Sequence, residues 1–458
     1  MAESAARLSR SRLIYFGLPD YAVYLAAVPV SLYLPFVYSR DLGLELTDIG
    51  LILMLARISD VITDPLIGYL SDSTRTRIGK RKPWLAAGAV VMAIAAWQLF
   101  APPGQVTNWH LLVWSILLWL GWTMINIPYF AWGAELSDDY NERTRITGWR
   151  QAFGFMGNVS VLLIPSLSGK LFGYGSLPQE GLTIVGFMAL IMLPGLVFLA
   201  LWKVPEVPVV QRGTRPDFFG SVTQMFSNGS FMILFTGFLM LTMGATWSSS
   251  LFMLFASFVV DVETSTQIIL LGFYLTQLLS LPAWVWVSYR IGKKETWILG
   301  AIIYVVATPG YLMLGPGDVL GFCIVLGLYG IASGNFVAIS LSMKADLIEI
   351  AAFRTGHHVA GSYMAVWSLG QKFFQAIAVG MALPIVSYFG FDPKGENGPD
   401  ELFALTLTLT IPPMLLYLGS VFVIWRFPLS EHRLKRLRQK FMIRQDRRTQ
   451  SNQKPEKR

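Results

Sequence analysis

The sequence predicts an all-α membrane protein, with twelve transmembrane helices in two pseudo-symmetric six-helix halves. Three observations carry that expectation: long apolar stretches, a one-sided distribution of Lys and Arg, and an internal repeat. Of the 458 residues, 54% are hydrophobic and only 14% are charged, with a mean hydropathy of +0.52. Soluble globular chains carry about 25% charged residues, so a soluble enzyme built on one large core does not fit. A helix needs about 20 apolar residues to cross a hydrocarbon core ~30 Å thick, and the chain supplies such stretches repeatedly.

Twelve spans can be marked, at roughly 13–38, 47–70, 84–102, 109–133, 149–172, 182–203, 229–257, 265–288, 295–314, 318–343, 358–389 and 402–427. Arg7, Arg10 and Arg12 precede the first. The run that follows is too long for the apolar core of a signal peptide, and no small-residue cleavage site closes it. Span 1 is therefore expected to be retained. Pro and Gly inside several spans are compatible with a membrane bundle, where neighbours satisfy freed backbone groups. The longest polar stretch, 204–228, holds Pro205, Pro208, Pro216, Arg212 and Arg215 and divides the spans six and six. The expected organisation is an N-terminal half at 1–203, a linker at 204–228, a C-terminal half at 229–427 and a basic tail at 428–458.

With an even number of spans, both ends lie on one side. The loops of the opposite side hold only Arg40 and Lys394, with Lys170 at a nearby span end; Arg57 and Lys372 fall inside spans. The rest of the 36 Lys and Arg gather on the side of the termini, which the positive-inside rule makes the cytoplasm. A multi-pass protein of the cell membrane, with both termini cytoplasmic and acting as a monomer, is expected. The tail contains Arg433, Lys435, Arg436, Arg438 and Lys440 among others; after a last span such charge suits anionic lipid headgroups rather than nucleic acid. The single cysteine, Cys323, allows no intrachain disulfide and is expected to pack as a small hydrophobe. His357 and His358 adjoin, cannot share a helix face, and read as a helix-start pair at the membrane surface.

The repeat relates the halves. Arg77-Ile78-Gly79-Lys80-Arg81 with Trp84 matches Arg290-Ile291-Gly292-Lys293-Lys294 with Trp297. Ala134-Glu135-Leu136, Asp138 and Arg143-Thr144 matches Ala345-Asp346-Leu347, Glu349 and Arg354-Thr355 at nearly the same offset. A parallel repeat of this kind is one of the two repeat classes of secondary transporters.

The most informative chemistry lies in span 2, Ala56-Arg57-Ile58-Ser59-Asp60-Val61-Ile62-Thr63-Asp64-Pro65. Asp60 and Asp64 are four residues apart and share a helix face with Arg57. Charges facing lipid cost several kcal/mol each, so these are expected to face an internal cavity. Two carboxylates against one guanidinium leave a charge of −1, which a bound Na⁺ or H⁺ neutralises. Oxygen ligands suit a hard cation; Thr63 adds a hydroxyl, and Pro65 frees a carbonyl. The corresponding repeat positions are Phe273 and Gln277, so the site is built in one half only. A permanent structural ion-pair network is the alternative.

Asp20 in span 1, Asn126 in span 4, Arg150 in span 5 and Lys372 in span 11 are the other intramembrane polar residues singled out, and a buried charge needs a partner. Trp122, Tyr129, Phe130 and Trp367 offer flat faces for a sugar ring, although aromatics in spans mostly pack or face lipid. On the side of the termini, Gly68 and Asp72 meet the basic loop of Arg75, Arg77, Lys80, Arg81 and Lys82. Glu135, Asp138 and Arg143, with their repeat partners Asp346, Glu349 and Arg354 and with Arg145 and Arg290, are candidate gating pairs between the halves. The plainer alternative is ordinary surface pairing, worth ~0–1 kcal/mol.

At these residues the chain resembles the glycoside–pentoside–hexuronide:cation symporters, a melibiose permease-like branch of the major facilitator superfamily. The resemblance covers essentially the whole chain and is most specific from Arg57 to Trp84. It implies cation-coupled symport of a sugar, glycoside or related organic solute, with no enzyme activity and no cofactor beyond the coupling ion, Na⁺ or H⁺. It gives Asp60 and Asp64 the cation site, with Thr63 and Thr123 as further oxygen ligands. It gives Asp20 and Arg150 sugar-site roles and marks Lys372 as an important lysine of span 11. Asn126-Ile127-Pro128-Tyr129-Phe130 departs from the galactoside carriers, which have Asp for Asn126 and Trp for Phe130. The Asp60 to Pro65 stretch is also similar to sodium-dependent lysophospholipid symporters, so an amphiphilic solute, or an exporter of the same fold, stands as the alternative.

Overall fold

The structure, a computed structural model, describes residues 8–137, 139–172, 178–206, 223, 225–262, 266–355 and 360–428. Asp138, the His357–His358 pair, most of the linker and the basic tail lie outside these residues, and the side chain of Arg354 is likewise not described. Span 1 is α1 (Arg10–Leu32) with α2 (Leu34–Arg40), and span 2 is α3 (Leu46–Ile58) with α4 (Asp60–Ser73). Spans 3 to 6 are α5 (Lys82–Phe100), α6 (Asn108–Glu135), α7 (Tyr140–Phe172) and α8 (Pro178–Lys203). The second half holds α9 (Gly229–Phe258), α10 (Thr266–Ile291), α11 (Lys293–Ala307, ending in a 3₁₀ turn at Thr308–Met313), α12 (Val319–Thr355), α13 (Ala360–Tyr388) and α14 (Pro399–Trp425). Among the described residues, ten of the spans are long and apolar enough to cross a membrane as single helices. The other two crossings are span 2, split in its middle, and the more polar span 5.

Both split spans break for local reasons. Pro35 has no N–H to bond back to Ser31, and the chain reforms as a short helix after Tyr33. In span 2 the Ser59 hydroxyl donates to the Ala56 carbonyl at 2.7 Å, competing with the backbone ladder. Pro65 removes a further donor one turn later. The break falls between Arg57 and Asp60, where the charges are.

Within each half the helices approach at small residues, as expected where lipid supplies no hydrophobic drive between helices. Spans 3 and 4 touch so closely at Gly121 that an added Cβ would lie 2.7 Å from the Met92 backbone nitrogen. The repeat is visible in three dimensions. Gly79 and Gly292 both take positive φ (117° and 97°) at the turn into the third span of their half. Lys80 pairs with Glu135 at 3.1 Å, and Lys293 pairs with Asp346 at the equivalent place.

The halves meet through Arg40 and Ser257 (3.3 Å), the Lys394 ammonium and the Gly43 carbonyl, Phe36 against Phe258, Phe155 against Tyr274, and Lys372 against span 2. Spans 2 and 11 fit closely: a Cβ on Gly50 would meet Pro384 at 2.8 Å, and one on Gly380 would meet the Met54 side chain. These contacts run from the Lys372 level to the end opposite the termini. Cys323 departs from the expected packing. It is exposed.

Candidate cation and solute site

The break in span 2 projects Arg57, Asp60 and Asp64 toward spans 4 and 11. Asp60 is wholly buried, at 0% exposure. Its Oδ2 accepts from Arg57 Nη1 at 3.2 Å and faces Lys372 Nζ at 3.2 Å. Its Oδ1 has no hydrogen-bond partner, and neither does the buried Thr63 Oγ1. Asp64 accepts from Thr123 Oγ1 at 2.8 Å and from Lys372 Nζ at 2.7 and 2.8 Å. Lys372, grouped with the solute residues by sequence, thus lies between the two carboxylates and joins span 11 to span 2. With Arg57 and Lys372 both present, the cluster is formally neutral rather than −1. Trp122 and Trp119 cover it: the Lys372 ammonium lies 4.5 Å from the first ring and the Arg57 guanidinium 3.3 Å from the second.

Beside this cluster, and sharing Arg57 and Trp119 with it, a cavity of about 270 Å³ is lined by both halves, including Ser31, Ser249 and Gln375. A second polar centre joins spans 1 and 5. Arg150 donates from Nε to Asp20 Oδ2 at 2.9 Å and from Nη2 to Oδ1 at 3.2 Å, a two-point pair buried on both sides. The guanidinium is flanked by the rings of Tyr129 at 3.9 Å and Phe130 at 4.1 Å. Tyr129 in turn donates to the Phe16 carbonyl. Phe130 is exposed. Asn126 turns its amide back to the Trp122 carbonyl at 3.2 Å. Trp367 is separate from both centres, packed among Phe231, Phe235 and Phe238.

On the side of the termini, the observed pairs lie within a half. Arg81 reaches Asp72 at 2.5 Å and Glu135 at 2.9 Å. Burial works against its charge, but these carboxylates outweigh that and hold the guanidinium above its ordinary value. Arg143 donates to the Ser137 carbonyl at 2.6 Å, Arg145 pairs with Glu142 at 3.2 Å, and Arg290 lies 5.0 Å from the Trp286 ring. Arg77 is exposed, and Glu349 has an interaction of its own. Two acids escaped the sequence reading. Glu206, just past span 6, accepts the backbone N–H of Lys80 and Arg81 at 2.8 and 3.0 Å. Glu142 accepts the N–H of Leu8 at 3.1 Å and fixes the entry of span 1. Neither belongs to a repeat match.

A family model described as MFS/sugar transport protein matches residues 15–431. The glucuronide carrier protein homolog of Escherichia coli (strain K12) is 24% identical over 443 residues, covering 94% of this chain and 95% of its own. The sodium-dependent lysophosphatidylcholine symporter 1 of Mus musculus is 22% identical over 445 residues, covering 87% and 82%. Among solved structures, a bacterial homolog to the human lysosomal transporter Spinster, in an inward-facing and unoccupied conformation, matches with a TM-score of 0.68. It is 13% identical, covers 95% of this chain and 99% of that one, and shares its fold.

Proposed function

The chain belongs to the MFS/sugar transport protein family, and from that premise we propose that it is a cation-coupled symporter of a sugar, glycoside or related organic solute, working by alternating access. The observation that carries the reading is the Lys372 ammonium held by Asp60 and Asp64. A primary ammonium there stands where a coupling Na⁺ or H⁺ is needed. The unpartnered Asp60 Oδ1 and Thr63 Oγ1 supply spare oxygens of the kind a hard cation takes.

Charge balance then gives the mechanism. A second cation beside Lys372 makes the buried cluster +1, which the low-dielectric interior disfavours. The arriving ion takes over the carboxylates and Lys372 withdraws. Because Lys372 belongs to one half and the aspartates to the other, its withdrawal loosens the halves, and the ion shifts the conformational equilibrium by its differential affinity for the two states. The solute binds between the halves near Asp20, Arg150, Asn126, Phe130 and Trp367. The halves, 1–203 and 229–427, rock as bodies around these sites, with both termini cytoplasmic and the protein acting as a monomer. The pairs of Arg81 with Asp72 and Glu135, and of Lys293 with Asp346, brace each half on the cytoplasmic side. Their exchange for pairs between halves, with Arg77, Arg143, Arg290, Glu349 and Arg354 as candidates, closes that side. Among the described residues, the contacts above join the halves from the Lys372 level outward, which supports an inward-facing arrangement.

The test is uptake of labelled glycosides into proteoliposomes under an imposed Na⁺ or H⁺ gradient. Asp64→Asn is expected to abolish gradient-driven uptake; undiminished uptake by that variant refutes the cation assignment. A second reading, transport of a lysophospholipid-like amphiphile, is favoured by the likeness to the mouse lysophosphatidylcholine symporter. Gradient-driven uptake of lysolipids without that of glycosides decides for it.

A further inference from the structure

Among the described residues, the mid-membrane charges balance except at one place. Asp20 matches Arg150, and Asp60 with Asp64 matches Arg57 with Lys372. Lys344 on α12 is left over. It lies about ten residues, roughly 15 Å, before the helix end at Thr355, the same depth from the side of the termini as Asp20 in α1 and Arg150 in α7. Its ammonium sits 3.8 Å from the Phe238 ring and 4.6 Å from the Trp367 ring, with no carboxylate near it among the described residues. Cation–π contacts return less than an unpaired charge loses on leaving water.

A second unmatched donor stands beside it. Trp367 Nε1 is buried and has no hydrogen-bond partner. An indole N–H and an ammonium can only donate, and buried donors in native proteins nearly always find acceptors. Two donors around one aromatic wall therefore stand without an acceptor, and of the two residues Lys344 is the one only partly buried. Spans 7, 10 and 11 contribute Phe238, Lys344 and Trp367, so the arrangement belongs wholly to the C-terminal half.

We infer that Lys344 and Trp367 form a subsite for an anionic group, a carboxylate or a phosphate, carried by the transported solute. The ammonium supplies the charge, the indole N–H a directed hydrogen bond, and the Phe238 face an apolar floor. The inference rests on the transport reading for its solute but not on the cation assignment.

Binding to the purified full-length protein, measured by calorimetry without any ion gradient, tests it with matched probes. Methyl β-D-glucuronide is compared with methyl β-D-glucoside, and oleoyl-lysophosphatidate with monooleoylglycerol; the two pairs separate a sugar carboxylate from a lipid phosphate. The acidic member of one pair is expected to bind at least tenfold more tightly. Lys344→Met removes that preference, Lys344→Arg keeps it, and Trp367→Phe, which retains the ring but not the N–H, weakens acid binding severalfold. Equal or absent binding of the acidic members overturns the inference, as does a preference that survives in Lys344→Met. Acid-selective binding without cation-driven flux sinks the symport reading and leaves the subsite. Cation-driven flux of neutral probes with no acid preference does the reverse.

Discussion

At the scale of single residues, the sequence reading finds charges more easily than it finds their partners. Arg57, Asp60 and Asp64 stand out because ionised groups inside an apolar run demand an internal environment. Lys372 stands out on the same ground, but not as their fourth member, because it lies 308 residues away from Asp64. Lys344 is hidden for another reason: hydropathy ends span 10 at 343, whereas the helix continues to Thr355 and carries the lysine inside. If Lys372 occupies the place of the coupling ion, Lys372→Met leaves the cluster at −1. The half-saturating concentration of the coupling cation, read by thermal stabilisation, is then expected to fall about tenfold, equivalent to ~1.4 kcal/mol. A loss of the cation response instead would mean that the lysine builds the site rather than competing for it. The Asp20–Arg150 pair makes a different prediction. Asp20→Ala strands a buried guanidinium, and breaking one side of such a pair costs about 3–5 kcal/mol. Asp20→Ala with Arg150→Met is expected to be more stable than Asp20→Ala alone in thermal denaturation, since no charge is left uncompensated. A double variant less stable than the single one counts against the pairing.

At the scale of the helix, span existence was legible and span interiors were not. Twenty apolar residues announce a crossing, but the broken geometry of spans 1 and 2 depends on where freed carbonyls find donors. Pro65 announces a freed carbonyl, but Ser59 is an ordinary residue until its Oγ is seen on the Ala56 carbonyl. Close helix packing is equally silent in sequence, since the chain holds 41 glycines and only some stand at a crossing. Gly121 is one of them. Its missing Cβ lets the Met92 backbone approach, and backbone cannot rotate away as a flexible side chain can. Gly121→Ala is expected to destabilise the N-terminal half by about 1–3 kcal/mol, seen as a lower melting temperature in detergent. Gly195, with open space around its Cβ position, is the control: Gly195→Ala changes nothing there. Equal melting temperatures for the two variants would mean that spans 3 and 4 can separate without penalty.

At the scale of the whole molecule, the repeat and the bias of basic residues foretold two six-helix halves, because both are properties of the chain summed over many residues. How the halves touch was beyond reach, since it depends on which conformation is adopted. The contacts now seen place the joint between spans 2 and 11. Gly50 lies against Pro384 and Leu383, and Gly380 against Met54, so each half presents a missing side chain to the other. A joint this tight is a bistable element: it is either closed to van der Waals contact or parted, with little between. Gly50→Val places two methyl groups where Pro384 Cδ already sits 2.8 Å from a Cβ position. The closed state of this joint then loses stability while a parted one does not, and a shift of ~1.4 kcal/mol changes the populations tenfold. Ser249, lining the cavity between the halves, reports on this. In a Cys323→Ser background, Ser249→Cys is expected to react slowly with a membrane-impermeant thiol reagent added outside, and several times faster once Gly50→Val is introduced. Unchanged reactivity would show that the halves separate along some other surface, and that the fit of spans 2 and 11 is packing within a fixed bundle rather than the joint on which transport turns.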